Sequence, residues 1–93
     1  MNNAVTRHAG QRMQQRSIPP VVVDWLVGYG ATEHDHRGGE IRYFDKKARR
    51  QLSSGVGVQV VKRLEAFLDT YLVLGRDGRV VTVGHRTQRI NRH

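Results

Sequence analysis

The chain has 93 residues, no cysteine, a formal net charge of +8 and a sequence pI near 11.1. That length supports one small domain, the missing cysteines exclude disulfides and thiolate metal ligands, and no apolar run nears the roughly 20 residues of a membrane span. Sixteen Lys and Arg against eight Asp and Glu, thirteen of the cations being Arg, favour a polyanionic partner, nucleic acid or an acidic protein.

The first element is a helix over Thr6 to Arg16, TRHAGQRMQQR, with Thr6 able to accept a backbone hydrogen bond as its cap. Positions four apart stack on one face, so Val5, Ala9 and Met13 form a core stripe and His8, Arg12 and Arg16 a neighbouring basic column. An imidazole that titrates near neutrality beside two permanent cations suits phosphodiester chemistry, with Arg7 a further phosphate contact. The plain alternative is a solvated basic face. Ile18-Pro19-Pro20 stops this helix, and Pro20 opens a second, almost wholly apolar one that ends at Gly28 and Gly30.

Ala31 to Arg37 and Glu40 to Asp45 read as antiparallel strands around a two-residue Gly38-Gly39 turn, the first strand polar and at an edge. Asp45 can cap a third helix that turns Ala48 and Leu52 inward. Ser53 to Gly57 loosens it before Val60, Val61, Leu64, Phe67 and Leu68 resume helical spacing, so one kinked helix and two short ones both fit. Tyr71 to Leu74, apolar on both faces, suits the interior of a sheet and pairs through Arg76-Asp77-Gly78-Arg79 with Val80 to His85. The tail from Arg86, carrying Arg89 and Arg92, is expected to be partly mobile from about residue 87. The sum is an α+β domain: an antiparallel sheet of about four strands with helices packed on one face. With a polar N-terminus, neither a signal peptide nor a membrane anchor is expected, and the expected location is the cytoplasm.

Two imidazoles in His34-Asp35-His36 would share one face of a strand, the spacing of a metal pair. A third ligand is not evident nearby and a solvated edge accounts for the residues, so no metal is expected there. The glycines lack the strand-to-helix setting of a phosphate loop, and no Ser sits in a nucleophile elbow.

The opening TRHAGQRMQQRSIP, the middle IRYFDKKARR and the ending DTYLVLGRDGRVVTVGHR resemble a bacterial domain-of-unknown-function family placed in the RelE-like (barnase/EndoU/colicin/RelE) ribonuclease-toxin superfamily. The resemblance covers almost the whole chain. The family pattern is a His and Arg on the first helix, met by His8, Arg12 and Arg16, and a last strand containing Thr-Val, met by Val81-Thr82-Val83. It implies a RelE-like fold. Members of the superfamily cleave RNA without metal, inhibit translation or have lost activity. The implied partners are RNA, free or on the ribosome, and an acidic antitoxin or immunity protein; no cofactor and no membrane are implied.

Metal-free RNA cleavage needs a proton taken from the ribose 2′-hydroxyl, a proton given to the leaving 5′-oxygen, and cations around the phosphorane between them. His8 and His85 are the candidates for the two proton carriers, with either order open, and Arg12 is grouped with them as catalytic. Arg16 and Arg86, with Arg7, are candidate phosphate contacts, and Thr82 an auxiliary donor. Each has a plainer reading: His8 as a local hydrogen-bonder, His85 as a strand end leaning on the core, Thr82 as a β-branched strand residue, Arg86 as a surface cation. Three classes therefore stand: a toxin-like endoribonuclease, a silent nucleic-acid binder on the same basic surface, and a protein-interaction domain. Neither His has an obvious carboxylate partner in the sequence, and an unoriented imidazole is a poor general base.

Overall fold

A computed structural model describes residues 4–86; residues 1–3 and 87–93, and with them the expected mobile tail bearing Arg89 and Arg92, lie outside the described residues. In chain order the elements are α1 (Arg7–Gln15), α2 (Pro20–Tyr29), β1 (Ala31–His34), β2 (Glu40–Tyr43), α3 (Lys46–Val56), α4 (Val58–Arg63), a 3-10 turn (Glu65–Phe67), β3 (Thr70–Leu74) and β4 (Val80–His85). The four strands form one antiparallel sheet in the order β1-β2-β3-β4, which puts β3 inside and β1 at an edge. No helix among the described residues is long and apolar enough to cross a membrane.

Alternation decides which sheet residues meet the helices. Leu72 and Leu74 of β3 and Val80 and Val83 of β4 join Val22 and Leu26 of α2 and Leu52 of α3 in the core. Val80 and Val83 are three residues apart and would face opposite ways on a regular strand. They share the core because Leu74 pairs with Val80 and Val73 with Thr82, so Val81 is the extra residue of a bulge. Each valine so buried contributes about 1.5–3 kcal/mol. The other face carries Ile41, Tyr43, Tyr71, Val73 and Thr82, all outside the core cluster. Among the described residues, helices therefore cover one face only.

The caps form as their side-chain chemistry requires. Thr6 Oγ1 accepts from the Ala9 amide at 3.3 Å, and Asp45 Oδ1 accepts from the Ala48 amide at 2.7 Å. Arg42, on the helix-facing side of β2, donates from Nη1 to the Val27 carbonyl at 2.8 Å and pairs with Glu40 at 3.2 Å, tying the end of α2 to the sheet.

The observed elements differ from the sequence expectation in three ways. The β1–β2 connection is five residues, not a Gly38-Gly39 turn: β1 stops at His34, and the left-handed positions are His36 (φ 65°) and Gly38 (φ 90°). Asp35 organises it, accepting from the Arg37 and Gly39 amides at 2.8 and 2.9 Å. Second, Gly57 takes φ 99° and divides the third helical stretch into α3 and α4, the two-helix alternative the sequence left open, but the second helix is shorter than its apolar spacing suggested. Helix α4 ends at Arg63 instead of reaching Phe67 and Leu68, and Val60 is exposed while Val61 is buried. Third, the backbone just before α1 pairs with β4, which the sequence did not indicate. Val80 donates to the Ala4 carbonyl at 2.8 Å and the Thr6 amide donates to the Val80 carbonyl at 2.9 Å, so Val5 bridges β4 in parallel.

Candidate functional site

Two regions hold the residues singled out by sequence, and they meet β4 at different ends. The first is α1. Its anchor at Val80 lies at the start of β4, and Ala9 seals it to the core with no exposed surface. His8, Arg7 and Arg16 are exposed and Arg12 is half-buried. Gly10, Met13, Gln14 and Ser17 border a largely apolar cavity of about 530 Å³ shared with Pro20, Val23 and Asp24, so helical spacing leaves His8 and Arg12 on the flank turned away from it. No side-chain hydrogen bond or ion pair reaches His8 or Arg12 among the described residues. The column is present, but among the described residues nothing orients its imidazole.

The second region is the far end of β4, where the register sets Thr70 opposite His85 and so brings Asp69 alongside it. The Arg86 amide donates to the Asp69 carbonyl at 2.7 Å, closing the ladder. His85 Nδ1 lies 2.9 Å from Asp69 Oδ1, and the imidazole stacks on Phe67 with ring centroids 6.3 Å apart. Arg49 of α3 reaches the same corner, donating from Nη2 to the Leu68 carbonyl at 3.3 Å. The Asp69 side chain is 52% exposed, so the pair contributes little to stability and its consequence is geometric. With Nδ1–H donating to the carboxylate, Nε2 holds the lone pair and is the atom left for proton transfer.

Asp69, Phe67 and Arg49 were not found by sequence reasoning. The signal for Asp69 was available: a hairpin centred on Asp77-Gly78 pairs the start of β3 with the end of β4, and the carboxylate one step before Thr70 must fall beside His85. Arg49 had no such signal, because its position depends on where Gly57 turns the chain.

Thr82 and Arg86 belong to the opposite sheet face. Thr82 pairs with Val73, and the Arg86 guanidinium sits 4.7 Å over the Tyr43 ring with Nη1 buried and without a hydrogen-bond partner among the described residues. His85 and Arg86 are neighbours in sequence and diverge in space. The structure thus brings His85 to Asp69 and Arg49 to the neighbouring Leu68 carbonyl, sets Arg86 on Tyr43, and forms no hydrogen bond between the α1 column and Thr82, His85 or Arg86 among the described residues. At the β1–β2 connection His36 is off the strand, so it does not share a strand face with His34. The Arg37 and Gly39 amides donating to the Asp35 carboxyl hold its pKa below the ordinary carboxylate value.

Neither family models nor curated proteins nor solved structures give a match to this chain.

Proposed function

We propose that the domain is a metal-independent endoribonuclease, toxin-like in the sense of the RelE-like superfamily its sequence resembles. The observation that carries the reading is the His85–Asp69 contact at 2.9 Å on a domain of net charge +8. It supplies what the sequence lacked, a carboxylate that fixes an imidazole. His85 Nε2 takes the 2′-hydroxyl proton as the oxygen attacks phosphorus, and Asp69 holds the ring in place while it does so. The leaving 5′-oxygen receives its proton from water, because His8 stands on the α1 flank at the other end of β4. The α1 cations Arg7, Arg12 and Arg16 attract the RNA backbone, and an acidic antitoxin or immunity protein is the matching protein partner.

A second reading is favoured by one specific observation: His8 and Arg12 have no partner that orients them among the described residues. A silent RNA binder needs only their charge. One incubation separates the two. Purified protein with RNA in chelator yields fragments ending in 2′,3′-cyclic phosphate if the first reading is right; intact RNA that is bound but never cut leaves the second.

A further inference from the structure

We infer that Arg49 and His85 hold one phosphate between them, with Asp69 as the positioning residue of His85, so that the anion site lies at the α3–β3–β4 corner and not on the α1 column. This rests on the ribonuclease reading for the identity of its substrate and on geometry for its existence. Leu68 and Asp69 are consecutive, with Cα atoms about 3.8 Å apart. The Leu68 carbonyl receives Arg49 and the Asp69 carboxylate receives His85, so a guanidinium and an imidazole converge on one step of backbone.

Their remaining capacity decides what fits there. A guanidinium has five N–H donors, and Arg49 commits one Nη2 donor to a carbonyl. It forms no ion pair among the described residues. The corner therefore offers an under-used planar cation beside an imidazole edge. A tetrahedral oxyanion takes two parallel N–H donors from Arg and a third from the His85 Nε2–H once that nitrogen carries a proton, the state in which both ring nitrogens donate, and so matches that set. Arg49 is exposed, so the anion enters without displacing core residues.

The plainer role for Arg49 is to cap the Leu68 carbonyl, and the test separates the two. Inorganic phosphate, and separately a 2′-O-methyl oligoribonucleotide that cannot be cleaved, are titrated into the full chain while the Arg49 Nε–H and His85 ring signals are followed by NMR. Both groups should move on one saturation curve with either probe. Arg49→Ala should weaken phosphate binding about tenfold, the scale of a lost charge-assisted bond, and Arg49→Lys should restore only part of it. If His85 moves while Arg49 does not, or if Arg49→Ala lowers the melting temperature and leaves phosphate affinity unchanged, Arg49 is a carbonyl cap and the inference fails. Uncut RNA with both groups still moved by phosphate removes the ribonuclease reading and keeps the site. Cleavage by Arg49→Ala at wild-type kcat and KM removes the site and keeps the reading.

Discussion

The α1 flank and the corner at the end of β4 are both basic, both carry an imidazole, and differ in what holds that imidazole. His8 stands on a helix with a buried, well-capped inner face and, among the described residues, no polar neighbour bonded to its ring; His85 is pinned by Asp69 and stacked on Phe67. Charge spaced along a helix gives attraction, which is long-ranged and tolerant of position. Proton transfer is neither, since misplacement by about an ångström can forfeit on the order of 100-fold in rate. On the proposed ribonuclease reading, attraction of RNA falls to the first region and proton transfer to the second.

The largest effect should come from His85→Ala, which is expected to reduce cleavage by about 10² to 10⁴ with the melting temperature nearly unchanged, because the ring is partly exposed and lies outside the core cluster. His8→Ala tests whether the regions share one phosphodiester. If both imidazoles serve the same transition state, the double variant should be little worse than the poorer single one; losses that multiply in full would separate the sites. Wild-type cleavage by His85→Ala would end the case for the corner.

What the sequence disclosed and what it withheld divide along physical lines. Helix α1, its Thr6 cap, the Asp45 cap and the interior place of β3 follow from local spacing and side-chain chemistry, so they could be read directly. His85 was visible as a residue type, but its partner was not, because Asp69 is 16 residues away and the pairing depends on the register of a bulged hairpin. Arg86 was grouped with the phosphate contacts as a cation near the strand end. Strand alternation sent it to the other face, over Tyr43. The Val5 bridge to β4 was missed because a parallel pairing between chain ends leaves no local pattern.

Asp69→Asn sharpens the comparison at intermediate scale. The amide keeps the volume and can still meet Nδ1, but it favours the tautomer that puts the proton on Nε2, leaving no lone pair there for the 2′-hydroxyl. Cleavage should fall by up to about 100-fold. Stability should move by no more than about 1 kcal/mol, since the pair is solvent-exposed. A loss of folding instead of rate would make the pair structural.

The α1 column predicts a different signature. Arg12→Ala and Arg16→Ala should each reduce the slope of log affinity against log salt by about 1, because each cation that neutralises a phosphate releases condensed counterion, and kcat at saturating RNA should stay near wild type. An Arg12→Ala protein that binds normally and cleaves slowly would move this residue from the binding region into the chemistry.

The smallest effects concern how firmly each region is built, and the two helix caps measure it. Asp45 Oδ1 accepts from Ala48 at 2.7 Å at the start of α3, the helix that brings Arg49 to the corner, whereas Thr6 Oγ1 accepts from Ala9 at the longer 3.3 Å at the start of α1. Losing a cap costs about 1 kcal/mol, and carboxylate acceptors sit above threonine in cap preference, partly through the helix dipole. Asp45→Ala should therefore lower the melting temperature by about 4–8 °C and Thr6→Ala by less. The Ala4 and Thr6 backbone bonds to Val80 persist in the second variant and keep α1 in place. Calorimetry of the two variants checks the order. A larger drop for Thr6→Ala would mean that α1 depends on its cap more than on its strand anchor, and the flank that carries His8 would then be the less firmly held of the two regions for a reason other than the absence of a ring partner.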